Sequence, residues 1–125
     1  MEAASRGAKE GRGLVVGIIP QDSKTDANSF CDVVIATGIG YARDFVTANS
    51  ADAVIIVGGG AGTLIEVAAA YQKRIPIIAI KNTGGVADRY ANDYVDDRRT
   101  ERIMVAASPI EAVKVAVSFR VMQEY

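Results

Sequence analysis

The residues best equipped for chemistry in this chain are Glu66 and Arg43, with a glycine run, Gly58-Gly59-Gly60-Ala61-Gly62, and Thr63 just ahead of the glutamate. A glycine run leaves main-chain N–H groups bare. If it also opens a helix, the positive end of the helix dipole falls at the same spot, and together they favour an anion, usually a phosphate. The alternative is a tight strand-to-helix turn whose glycines only let helix and sheet pack closely. Beside an anion site Glu66 is positioned to act as a base or to stabilise a positive transition state. It has a structural role open to it as well, closing a capping box with Thr63 as the N-cap, which stabilises a helix by about 1 kcal/mol. Arg43 is either a solvated helix arginine or a fork-shaped donor to a phosphate or to Glu66. Its neighbour Asp44 is expected on the surface, and Tyr41 and Tyr71 in a core or an interface.

These residues need elements to hold them. Val54-Ile55-Ile56-Val57 is an apolar, mostly β-branched run that reads as a strand buried on both faces. Further strands are expected at residues 14–19, 31–36, 76–80 and 102–106, and helices at 2–10, 40–50 and 63–74. Ser108 and Pro109 start a terminal helix as N-cap and first helical residue. Residues 21–29 read as a loop, and the polar stretch 86–100 gives no clear element. Strands alternating with helices predict a single α/β domain over residues 1–125, with a mostly parallel sheet flanked by helices. Ligands in such sheets bind beyond the carboxyl ends of the strands. Glycines stand at three successive strand ends: Gly38 and Gly40, Gly58 to Gly62, and Gly84 with Gly85. They suggest a phosphate-friendly rim, to which Thr83, Asp88 and Arg89 either contribute or are ordinary polar loop residues.

Composition narrows the chemistry. The chain has no histidine, which removes Ser-His-Asp and Cys-His nucleophile systems and histidine metal sites, and no metal site is expected. Cys31 is its single cysteine and cannot form an intramolecular disulfide, in keeping with a reducing cytoplasm. Net charge is −1 with 6% aromatic residues and no basic run, which argues against a nucleic-acid surface but not against a small anionic ligand. No apolar run reaches transmembrane length, so no membrane partner is expected.

Gly59-Gly60-Ala61-Gly62-Thr63-Leu64-Ile65-Glu66 resembles the GGxGTxxE part of the PGGxGTxxE signature of the LOG (lonely guy) family, often labelled "lysine decarboxylase". Arg43 lies nine residues before Asp52, the spacing of that family's active-site arginine. Met1 to Ala8 resembles the helix after the family's first glycine loop, and Gly17-Ile18-Ile19-Pro20 its next strand. Nothing marks a pyridoxal-phosphate lysine, so a decarboxylase finds no support. The resemblance implies a Rossmann-like fold in which Gly59, Gly60, Gly62 and Thr63 hold a phosphate. It also implies that Arg43 and Glu66 form the catalytic pair of a nucleoside 5′-monophosphate phosphoribohydrolase.

Three departures shift the expectation. Gly58 stands where the signature has proline, and Asp44 follows the arginine where the hydrolases often carry lysine. Thr83-Gly84-Gly85-Val86-Ala87-Asp88-Arg89 resembles the TGGxxDR turn of a sister branch that includes molybdenum-cofactor carrier proteins. Binding of a phosphorylated, ring-bearing ligand, a nucleotide or a pterin such as the molybdenum cofactor, is then the leading expectation, with hydrolysis as the alternative. The rim Gly38, Gly40, Gly58, Gly59, Gly60, Gly62, Thr63, Thr83 and Gly84 would carry the ligand. The resemblance further implies a family βαβ unit ahead of the position matching Met1, so the chain reads as N-terminally truncated. It also implies a homo-oligomer, for which Ile110, Val113 and Val117 offer an apolar stripe that could equally pack on the sheet.

Overall fold

Ile77-Ile78-Ala79-Ile80 is an unbroken apolar run, and in the computed structural model it forms a strand, β4 (Ile77–Ile80), with every residue buried. That is the pattern of a parallel strand covered on both faces. The structure describes residues 1–123, with side chains as far as Phe119. The chain forms two compact units, Met1–Val46 and Thr47–Tyr125.

The second unit is built around β4. Strand β3 (Val54–Ile56) pairs with it in parallel, Val54 opposite Ile77, and β5 (Met104–Ala106) pairs on its other side, Ile78 opposite Met104. Helices α3 (Ala61–Gln72), α4 (Gly85–Tyr90) and α5 (Pro109–Gln123) complete the unit. Alternate residues of β4 serve two cores. Ile77 and Ala79 pack with Val67, Ala70 and Tyr71 of α3 and with Val86 and Ala87 of α4. Ile78 and Ile80 pack with Ala106 and with Ala112 of α5, whose Val115 and Ala116 lie against the same cluster. As the sequence suggests, Ser108 caps α5: its Oγ accepts the Glu111 N–H at 3.2 Å, while Glu111 Oε2 accepts from Ala107 N–H at 2.7 Å.

In the first unit, α1 (Glu2–Glu10) ends on Gly11, and Arg12 takes a left-handed φ of 61°. Strands β1 (Val16–Ile19) and β2 (Val33–Ala36) pair in parallel, Val16 opposite Val33. Asp32 ties strand to helix, accepting from Lys9 Nζ at 2.6 Å and from Val15 N–H at 2.8 Å. A 3-10 turn at Lys24–Asp26 lies within the loop, and another, Gly40–Ala42, leads into α2 (Arg43–Asn49). Val16, Val33 and Ile35 of this two-stranded sheet remain exposed.

Three expectations need correction. Helix α3 begins two residues earlier than expected, with Gly60 as its N-cap and no side-chain cap bond. Thr63 is therefore the third residue inside the helix, and the capping box, which needs Thr63 at the cap, does not form. The physical reason is Gly59: its missing side chain leaves the space that Thr63 Oγ1 occupies, and a Cβ there would collide with it. The polar stretch after residue 85 contains a helix, α4. Tyr41 is 86% exposed, which removes the core position from the two expected for it, whereas Tyr71 is in the core.

Candidate functional site

The loop from β3 to α3 leaves the sheet at the carboxyl end of its strand. Gly58 and Gly59 adopt left-handed φ values of 54° and 96°, which side chains disfavour. Gly60 enters α3 with open space where a Cβ would stand. Among the described residues, the N–H groups of Gly60, Ala61, Gly62 and Thr63 have no hydrogen-bond partner. Gly59, Gly60, Ala61 and Gly62 are exposed, and no acidic residue stands in the first turn of α3. Bare donors, the positive helix end and the lack of a competing carboxylate make this a place where an anion is favoured.

The carbonyl side of the same loop is fully engaged. Gly58 O accepts from Ala87 N–H and Gly59 O from Val86 N–H, each at 2.9 Å. Gly58 N–H donates to Thr83 Oγ1 at 2.9 Å, and the Thr83 hydroxyl in turn donates to Ile80 O at 2.7 Å. Asp88 holds the turn below, accepting from Asn82 N–H at 2.7 Å and Gly84 N–H at 2.8 Å. Gly84, with φ of 82°, is the N-cap of α4. Thus Gly58, Gly59, Gly60, Gly62, Thr63, Thr83 and Gly84 come together. Asp88 is the residue whose role sequence reasoning missed. An acid four residues after a glycine at a helix start was the available signal, since such acids reach back to cap N–H groups.

Glu66 is half-buried on α3, on the helix face it shares with Gly62 and Thr63, four and three residues earlier. The other expected residues lie in the first unit. Gly38 and Gly40 (φ 63° and 59°) form the turn after β2, donating to Gln21 O and Pro20 O. Arg43 Nη1 donates to Ile18 O at 3.4 Å, and its Nε lies 3.4 Å from Asp44 Oδ1. Asp44 is 5% exposed, so the expected surface position is wrong. A carboxylate is buried only with a compensating charge or hydrogen bonds, and the adjacent guanidinium supplies the charge.

Asp32 in the first unit and Asp96 in the second are perturbed carboxylates. The Lys9 hydrogen bond, then the Val15 N–H, hold Asp32 below its ordinary pKa. Asp96 is lowered first by Arg98 and then by Tyr71, whose hydroxyl donates to it at 2.9 Å and accepts from Thr100 N–H at 3.1 Å. Among the described residues no helix is long and apolar enough to cross a membrane.

Comparison with known proteins gives consistent matches. A curated, uncharacterised protein from Archaeoglobus fulgidus is 44% identical over 81 residues, covering 65% of this chain and 53% of that protein. The chain thus spans about half the length of that relative. The X-ray structure of TM1055 superposes with a TM-score of 0.82 at 36% identity, over 91% of this chain and 69% of that one. The molybdenum cofactor binding protein of the phototrophic bacterium Rippkaea orientalis superposes at 0.81 with 31% identity, over 96% and 71% of the two chains. These neighbours establish a Rossmann-like α/β fold of parallel strands flanked by helices. The SLOG cluster4 family matches residues 1–113, and this chain belongs to that family.

Proposed function

We propose that this protein binds a small phosphorylated, ring-bearing ligand, a nucleotide or a pterin cofactor, with its phosphate on the N–H groups of Gly60 to Thr63. The observation that carries the reading is the set of unpartnered, accessible amides at the start of α3. The similarity to a molybdenum cofactor binding protein adds the pterin class to the candidates. The phosphate end of such a cofactor fits a cradle of backbone donors. Mass spectrometry of small molecules released from purified protein tests this: a stoichiometric phosphorylated pterin or nucleotide supports it, and repeated absence of any such compound counts against it.

A second reading, phosphoribohydrolysis of nucleoside 5′-monophosphates, is favoured by the position of Glu66 one turn behind those amides. There Glu66 would stabilise an oxocarbenium-like sugar or activate water, and the family resemblance makes Arg43 the other catalytic residue. Free adenine released from AMP, abolished by Glu66→Ala and Arg43→Ala, would establish this reading; unchanged release in both variants would remove the site assignment.

The proposal includes a homo-oligomer in the cytoplasm. The face of α5 that meets the sheet is Ala112, Val115 and Ala116, while Ile110, Val113 and Val117 are 71%, 53% and 58% exposed. An apolar stripe left over after the sheet is covered suits contact with a second copy.

A further inference from the structure

We infer that the 82–88 turn is a brace that aims the glycine loop at its ligand, and that Thr83 is a positioning residue rather than a ligand contact. The inference rests on the phosphate reading above and deepens it. A glycine-rich loop presents carbonyl oxygens as readily as N–H groups, and a carbonyl at the mouth repels a phosphate. Here the two carbonyls at the start of the loop, Gly58 O and Gly59 O, are drawn away by the first N–H groups of α4. The N-terminus of α4 is therefore spent on the loop and not on an anion.

The side chains lock the same arrangement. The single hydroxyl hydrogen of Thr83 is committed to Ile80 O, while its oxygen receives Gly58 N–H. Both carboxylate oxygens of Asp88 are committed to the N–H groups of Asn82 and Gly84. Gly85 closes the brace: a Cβ there would collide with Gly59 O and stand 2.9 Å from Gly59 N. What remains free at the mouth is the set of donors from Gly60 to Thr63. The TGGxxD pattern thus supplies the loop's orientation.

The test uses the full chain, Thr83→Val and Thr83→Ser, with AMP, adenosine and inorganic phosphate as probes. Calorimetry reads binding, and hydrogen exchange reads the Gly58 amide without any ligand. The expected result is faster exchange at Gly58 and about tenfold weaker AMP binding in Thr83→Val, the loss of a hydrogen bond's worth of positioning. Adenosine binding stays unchanged, and Thr83→Ser restores both readouts. If Thr83→Val fails to fold, Asp88→Asn, which keeps one acceptor of the two, is read the same way, with a smaller loss of AMP affinity expected.

Faster exchange at Gly58 with unaltered AMP affinity would overturn the inference, because the brace would then be structural only. Failure of Thr83→Ser to rescue would overturn it too. Wild-type protein that binds neither AMP nor phosphate would overturn the phosphate reading itself, and the exchange at Gly58 separates that failure from absence of the brace.

Discussion

Gly85→Ala is the substitution whose cost the geometry fixes best. Gly85 sits at φ 53°, where an L side chain costs about 1 kcal/mol. The added Cβ would meet Gly59 O, Gly59 N and the Gly58 carbonyl carbon, all backbone atoms that no rotamer change can move aside. To relieve the overlap the start of α4 must back away, stretching the bonds from Val86 N–H to Gly59 O and from Ala87 N–H to Gly58 O, both 2.9 Å. At about 1 kcal/mol net for each bond, the total is roughly 3 kcal/mol. For a chain of this size that lowers the melting temperature by about 10 °C. Gly60→Ala is the control, since Gly60 has φ −117° and open space around its missing Cβ. It should change stability by less than about 0.5 kcal/mol. Thermal and urea unfolding followed by circular dichroism measure both. A Gly85→Ala protein that melts within about 2 °C of wild type would refute the close-approach argument, as would a Gly60→Ala protein equally destabilised.

Asp32 makes part of the first unit acid-sensitive. Its folded pKa is depressed by Lys9 and then by Val15 N–H, so its stabilisation is complete above the unfolded pKa and is lost as pH falls through the folded one. Asp32→Asn should flatten that part of the acid-unfolding curve, and an unaltered curve would count against the assignment. Tyr71→Phe leaves Thr100 N–H without its acceptor and removes one of the donors to Asp96, which keeps those of Arg98; this should cost about 1–2 kcal/mol in urea unfolding. Val113→Glu puts a charge in the exposed stripe of α5; sedimentation should show a shift to smaller species, and an unchanged distribution would remove α5 from the proposed interface.

Much of the fold was legible because its signals are local. The apolar run Ile77–Ile80 is a strand buried throughout, and Ser108-Pro109 starts a helix; the run from Val54 is a strand only as far as Ile56, and with Ile55 and Val57 exposed it is not buried on both faces as expected. What escaped depends on contacts distant in sequence or on empty space. Helix α4 is six residues long and begins in a polar stretch; two of its first N–H groups bond to carbonyls nearly thirty residues earlier, which no periodicity reveals. Thr63 has the right residue type for a cap, but the preceding glycines let the helix start sooner, and the side chain folds over Gly59 instead. Asp44 looks like a surface acid until the Arg43 guanidinium is placed beside it. At the candidate site the glycine loop itself was readable, whereas the direction of its carbonyls was not, since that is fixed by Val86, Ala87 and Thr83.

The most direct measurement is a titration of the ¹⁵N-labelled chain with AMP, followed through backbone amide resonances. The account predicts saturable shifts centred on Gly60, Ala61, Gly62 and Thr63, whose N–H groups have no partner among the described residues, and smaller responses with inorganic phosphate at the same residues. Shifts centred elsewhere, or none in this loop at saturating AMP and phosphate, would contradict it.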